Sequence, residues 1–198
     1  GTVDQITNLS PDDFATVQGD ANLTFLPVAN PNVLYLAMTN TFEPFDNVDV
    51  RKAIAMGIDR QRIVDFFFPE GSEVASHFTP CSIDNGCAGE EWYEFDAAAA
   101  KAMLADAGYP DGLSVTLNFH SGTKHNVRLA EILKEDCRAG GFNVTLNPTP
   151  EYWDKWTEYD LGITQWAHHP VASTYLNVGY GVDQQGKPLP WNETRWVD

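Results

Sequence analysis

Val115-Thr116-Leu117-Asn118-Phe119, then a helical stretch from Asn126 to Ala139, then the stop Gly140-Gly141, then Phe142-Asn143-Val144-Thr145-Leu146, is the part of this chain that decides its fold. In both short runs apolar and polar side chains alternate, which is the period of a strand buried on one face. A strand, a helix and a strand in that order form a βαβ unit. Its two strands should be parallel and its crossover right-handed.

Toward the N-terminus the helical period recurs three times. Ala100, Met103, Leu104 and Ala107 form the apolar face of an alanine-rich helix capped by Asp96 and stopped by Gly108 and Pro110. Val50, Ala53, Ile54, Gly57 and Ile58 share another stripe, with Asp49 as the expected N-cap. Asp59 caps a further helix that runs through Ile63 and Val64 to Phe67 and ends at Pro69. Upstream, Ser10 to Gln18 reads as a loop or short helix, and Leu23 to Val28 and Val33 to Met38 read as two strands separated by the breaker Asn30-Pro31-Asn32. Downstream, Tyr152 to Glu158 reads as a short helix and Leu161 to Trp166 as a strand. Periodicity fades beyond Pro170, and Val182 to Asp198 reads as loop. The sum is one α/β domain over residues 1–198, a mixed sheet with flanking helices and no interior linker or repeat.

Asp and Glu number 28 against 12 Lys and Arg, a net charge of -16 that would repel phosphate backbones and anionic lipid headgroups. Nucleic acid is therefore not an expected partner, and solubility is the simplest role for the charge. No run approaches the ~20 apolar residues that a membrane-spanning helix needs, and the N-terminus shows no basic segment followed by an apolar one. The chain is then either cytosolic or exported with its signal removed. Cys81 and Cys87 flank the turn-rich Ser-Ile-Asp-Asn-Gly and are expected to close a small disulfide ring, which favours export. Such a ring would restrain the long aperiodic stretch from Glu70 to Glu94. Two reduced thiols are the alternative, and a zinc site is disfavoured by the ligand spacing. Cys137 falls on the apolar side of a helix, as a small buried hydrophobe.

Three signatures in order carry a resemblance to a family. They are Asn40-Thr41-Phe42-Glu43-Pro44-Phe45 through Arg51, Ala53-Ile54 and Ile58-Asp59-Arg60; the turn Ala107-Gly108-Tyr109-Pro110-Asp111-Gly112; and Leu129-Ala130 through Gly141-Phe142-Asn143-Val144. From about Asn32 to Asn177 the chain resembles the family 5 solute-binding proteins of bacterial ABC importers, which capture peptides, nickel chelates or oligosaccharides. The resemblance implies one lobe of a periplasmic-binding-protein fold (type II, cluster C-like), the second lobe, with the N-terminal lobe and a last long helix absent. It also implies a monomer in the periplasm or outside the cell, with any membrane anchor in the missing N-terminus. Hinge closure on a solute, most often a peptide, and delivery to a membrane permease would be its task. No cofactor and no resident metal are implied.

Candidate ligand-binding residues gather at the ends of strands, where α/β domains commonly hold ligands. In the family the stretch matching Trp166-Ala167-His168-His169-Pro170, leading into Tyr175, borders the cleft. Trp166 offers a broad apolar face. Peptide-binding relatives often carry an acidic residue in this turn to pair with the ligand's amino group, and here His168 and His169 stand instead, so an ordinary peptide anchor is in question. The pair is open to three readings: metal ligands, a hydrogen bond to an anionic or hydroxylated ligand, or a structural loop. Adjacent residues on an extended chain point to opposite sides, which weighs against one shared ion. His120, in the loop through Thr123 and His125 between a strand and a helix, either contacts the cleft or belongs to a surface connection. Asn40, with Thr41, ends another strand and either lies near the hinge or serves the turn. Trp153 and Trp156 are core or rim, and Arg51 and Asp59 read as structural, capping and pairing.

An enzyme would need a different set. His168 or His169 as a general base with Asp160 or a Cys137 nucleophile is the arrangement available, and no nucleophile elbow, zincin helix or phosphate loop accompanies it. A binding protein turned receptor or sensor, with no transport partner, would look the same in sequence. The expectation is a binding protein and no enzyme.

Overall fold

A computed structural model of the chain describes residues 5–6, 9, 11–26, 31–122, 124–167 and 171–197. His168, His169, Pro170, Thr123 and the end of the expected strand Leu23 to Val28 lie outside the described residues. The βαβ unit forms as the alternation predicts: β2 (Leu113–His120), α5 (Lys124–Ala139) and β3 (Phe142–Thr149), with β2 and β3 parallel in the register Val115 to Val144 and Leu117 to Leu146. Two further strands, β1 (Asn32–Met38) and β4 (Leu161–Ala167), complete a mixed sheet of order β1-β4-β2-β3. β4 runs parallel to β2, and β1 antiparallel to β4.

The pleat sorts side chains onto two faces. The first face takes Val115, Leu117 and Phe119 of β2, Val144 of β3 and Leu161 and Ile163 of β4, all buried. Four helices supply the rest of that core: α2 (Val48–Met56), α3 (Arg60–Phe67), α4 (Ala97–Asp106) and α5, through Val50, Ile54, Ile63, Phe67, Leu104, Leu129 and Leu133. Gly57 after α2 and Gly140 after α5 let these helices meet closely, because a Cβ on Gly140 would stand 2.8 Å from the Gly57 Cα. The second face carries Val33, Tyr35 and Ala37 of β1 opposite Trp166, Thr164 and Gly162 of β4. It is covered by α6 (Tyr152–Lys155), a 3-10 turn Trp156–Glu158, α7 (Ala172–Tyr180) and the C-terminal segment.

Helix caps follow the sequence at two of three expected sites. Asp59 accepts from the Arg62 N–H at 3.0 Å and Asp96 from the Ala99 N–H at 2.9 Å. At α2 the cap is Asn47, whose side chain accepts from the Asp49 N–H at 2.9 Å, so Asp49 sits inside the first turn, where its charge favours the helix dipole. Arg51 donates to the Phe45 carbonyl at 2.6 Å and holds the turn before α2.

Two expectations are corrected. Leu23 to Leu26 form no strand: the Leu23 N–H bonds back to the Asp20 carbonyl at 3.0 Å after α1 (Pro11–Gly19), and Phe25 packs on Phe14 with ring centres 5.5 Å apart. Conversely, α7 occupies part of the stretch where periodicity fades. It starts without a side-chain cap at Val171, so the usual start signal is missing.

The stretch from Glu70 to Glu94 has no helix or strand but is well tied. Cys81 and Cys87 form a disulfide with Cα atoms 4.8 Å apart, and the Trp92 N–H closes on the Ser76 carbonyl at 2.8 Å. Within it Phe78 and Ala75 pack on Val33, Tyr35 and Ala37, and Asp84 bridges to Val171 just before α7.

Candidate functional site

The carboxyl ends of β2, β3 and β4 share one edge of the sheet, as parallel strands must. Trp166 stands at the end of β4 on the second face, and aromatic rings extend from it in both directions. Its ring centre lies 6.3 Å from Trp156, 6.1 Å from Trp191 and 5.8 Å from Tyr175. Trp156 in turn lies 6.1 Å from Trp153, and Trp153 lies 6.2 Å from His120 at the end of β2. The edge therefore presents a row from His120 to Trp191. Trp153 and Trp191 are about half exposed, at 49% and 54%, so their faces are open to a partner. Trp166 is half-buried and Tyr175 buried, and the Tyr175 hydroxyl donates to the Ala167 carbonyl.

Trp166 rests on a polar support. Its Nε1–H donates to the Tyr35 hydroxyl at 2.6 Å, and that hydroxyl donates to Glu193 Oε1. Glu193 Oε2 accepts from the Thr164 hydroxyl at 2.8 Å. Burial pushes the Glu193 carboxyl up to about 7, against the opposing effect of the hydrogen bonds from Tyr35 and Thr164. The same burial raises the phenols of Tyr35, Tyr152 and Tyr180, so all three are neutral donors at ordinary pH. Close approach on the other side of the ring depends on Gly179 of α7, where a Cβ would meet Trp166 Cζ2 at 3.1 Å.

Of the residues singled out in the sequence, the structure brings Trp166, Tyr175 and His120 to this one edge, and Trp153 and Trp156 are its rim. Asn40 lies elsewhere. Met38 pairs with Leu161 and Asn32 with Ala167, so Asn40 follows the far end of β1, about 20 Å from Trp166 at the rise of a strand. There its N–H donates to the Thr194 carbonyl at 2.7 Å, a structural tie to the C-terminal segment. His125 turns away from the edge and packs on Phe67 with ring centres 4.4 Å apart, and burial lowers its basicity. Trp191 and Glu193 were not legible from sequence because the segment carrying them has no periodicity.

The nucleophile reading finds no support in geometry. Cys137 is 2% exposed within the first-face core, and burial pushes its thiol up to about 12, so a thiolate is disfavoured. Asp160 accepts from its neighbour's N–H on Leu161 at 2.9 Å, at the start of β4 rather than at its end. His77, Cys81 and Cys87 place their nitrogen and sulfur atoms within 4.8 Å of one another, but both sulfurs are committed to the disulfide. Two open depressions, of about 240 and 380 Å³, lie around Arg138 and Asn143 at the opposite edge.

Comparison with known proteins gives the same architecture. The chain is 32% identical over 213 aligned positions to di/tripeptide-binding protein 1 of Pseudomonas aeruginosa, covering 98% of this chain and 37% of that protein. It is 28% identical over 177 positions to heme-binding protein A of Haemophilus influenzae, covering 84% of this chain and 32% of the relative. Among solved structures it superposes on HbpA2 from Haemophilus parasuis with a TM-score of 0.77 at 26% identity, over 94% of this chain and 38% of that one. The chain thus spans about a third of the length of these relatives. Residues 1–187 match the model of the bacterial extracellular solute-binding proteins, family 5 Middle, and the chain belongs to that family.

Proposed function

We propose that this chain supplies one lobe of the substrate-binding component of an ABC importer, and that the aromatic row from His120 to Trp191 is its wall of the ligand cleft. The row carries the reading. Half-open indoles at the carboxyl edge of a sheet offer broad apolar area with little rotamer freedom to lose, and they leave hydrogen bonding to backbone and polar groups around them. A short peptide suits such a surface, and a relative matched along almost the whole chain is named for binding di- and tripeptides. An oligosaccharide or a nickel chelate has no comparable support among the relatives described. Capture would follow hinge closure of two lobes outside the cytoplasmic membrane, with the closed form docking on a permease. The family's extracellular character and the Cys81–Cys87 disulfide agree with that compartment. No part of this reading calls for catalysis.

The test is a thermal-shift screen of the two-lobe protein against di- to pentapeptides, oligosaccharides and nickel with chelators. A ligand that binds only the folded state raises the melting temperature. A rise with peptides alone is the expected result, and a rise with sugars or nickel in their place would overturn the peptide assignment. Trp166→Ala in the same protein should weaken peptide binding by about 1–3 kcal/mol if the ring stacks on ligand. Unchanged affinity would remove Trp166 from the cleft.

A further inference from the structure

Glu193 is the most unusual residue on the second face. It sits in a segment without helix or strand, yet it is 3% exposed, and its neighbour Asn192 is 2% exposed. The segment is fastened to the far end of β1: the Thr39 hydroxyl donates to the Glu193 carbonyl at 3.0 Å, and the Asn40 N–H donates to the Thr194 carbonyl at 2.7 Å. Asn192 Nδ2 donates to the Trp196 carbonyl at 3.0 Å and stiffens the turn itself. From this anchored position the carboxylate reaches under the sheet to Tyr35 and Thr164, and through Tyr35 to the indole N–H of Trp166. A buried carboxylate is costly to keep unless it is hydrogen-bonded, and here both oxygens are used.

We propose that Glu193 is the positioning residue of the Trp166 face, holding the indole in its tilt through the Tyr35 hydroxyl and passing its own protonation state on to that ring. An ionised carboxylate only accepts, so the Tyr35 proton must point to Glu193 and the Tyr35 oxygen accepts from Trp166, with the Tyr180 hydroxyl as its further neighbour. A protonated carboxyl can itself donate to Tyr35. The phenol proton is then released to turn toward Tyr180, its other hydrogen-bond partner, and the geometry of the acceptor at the indole N–H changes. Groups facing Glu193 are Tyr35 of β1, Thr164 of β4, Tyr152 of α6 and Tyr180 of α7, which are hydroxyls and phenols without charge at neutral pH. Burial places the exchange between the two forms near neutrality. Trp191, two residues before Glu193 and 6.1 Å from the Trp166 ring, is carried by the same anchored segment. The consequence for ligand capture rests on the function proposed above, while the relay does not.

The experiment follows the Trp166 indole N–H by 15N-correlated NMR of the chain between pH 5.5 and 8.5, with the resonance assigned by its loss in Trp166→Phe. In the wild type it should shift with pH around neutrality. In Glu193→Gln, which keeps the size of the side chain and resembles its protonated form, with one accepting oxygen and one donating nitrogen, the resonance should remain and cease to shift. Tyr35→Phe, which removes the intermediate hydroxyl, should abolish the shift independently. Imidazoles in general change charge near neutrality and can shift a nearby resonance, so the variants decide the matter. A Trp166 resonance that titrates unchanged in Glu193→Gln, or that is insensitive to pH in the wild type, overturns the relay. Calorimetry with trialanine on the two-lobe protein at pH 6 and 8 then gives the functional arm. A several-fold affinity change that disappears in Glu193→Gln is expected. Trialanine binding that is equal at both pH values overturns the link to capture, and no binding at all beside an intact indole titration strikes the peptide reading and leaves the relay standing.

Discussion

The two faces of the sheet are built by different chemistry from the same four strands. On the first face the contacts are mainly apolar, with the Arg62–Asp136 ion pair joining α3 to α5 beside them, and side chains such as Phe119, Leu104 and Phe142 are 1% exposed or less. On the second face Tyr35, Thr164, Trp166 and Glu193 meet through hydrogen bonds although 158 residues separate Tyr35 from Glu193. Asn118 continues this polar character in β2, donating to the Leu161 carbonyl at 2.9 Å and accepting from Asn147 at 2.8 Å. The first face supplies cohesion. The second holds specific rings at a chosen angle, which is what a recognition surface requires and what a purely apolar core does not provide.

This contrast can be broken from either side, and the first face should give the largest effect. Phe119→Ala leaves a cavity in close-packed surroundings and should cost about 3–5 kcal/mol, read as a lower urea midpoint with an unchanged slope. A cost under about 1 kcal/mol would mean that this core can collapse and is less tightly packed than the burial indicates.

Glu193 comes next, and its sign is opposite to that of an ordinary surface carboxylate. An unfolded glutamate titrates near ~4.3, while burial raises Glu193 to about 7, so its contribution to stability is complete below the lower value and is lost as pH rises through the upper one. Denaturant titrations should show the wild type losing about 3 kcal/mol between pH 4 and pH 8 relative to Glu193→Gln, which cannot ionise. Parallel profiles for the two proteins would place the carboxylate in water and dissolve the distinction between the faces.

The disulfide belongs to the second face, because its loop seats Phe78 against Tyr35 with ring centres 5.4 Å apart. Closing so short a ring removes limited chain entropy, and Cys87→Ser should cost about 2 kcal/mol. The effect should appear both in the melting temperature and as faster proteolysis between Glu70 and Glu94. A wild-type mass that does not rise by two hydrogen atoms on reduction would show that no bridge forms. The smallest effect is expected at the surface, where Asp96→Ala removes the side-chain cap of α4 and should cost about 1 kcal/mol without touching either face.

Much of the first face is legible in order of sequence. Alternation in β2 and β3, the stripes of α2 to α5 and the caps Asp59 and Asp96 are each contained in a window of a few residues, and each reports burial on one side only. Where local signals were thin, expectation and structure part. Leu23 to Leu26 looked like a strand and found no sheet edge, whereas α7 lacks a capping side chain and carries Gly179 where Trp166 must approach. Trp166, Tyr175 and His120 were identified by their place after strands, a topological rule, but the same rule drew in Asn40, which the antiparallel pairing of β1 with β4 puts at the opposite edge.

By itself, then, the sequence determined most of the elements, the parallel βαβ unit, the apolar core and the family, because periodicity and capping act over one or two turns of chain and need no knowledge of what lies across the fold. Only the tertiary structure decided which end of each strand faces which, that Trp153, Trp156, Trp166 and Trp191 form one row, and that a carboxylate from an aperiodic tail lies buried beneath them. Those contacts join residues from β1, β4, α6 and the C-terminal segment. Their energy comes from desolvation and from hydrogen bonds between distant groups, and neither exists until the chain has folded.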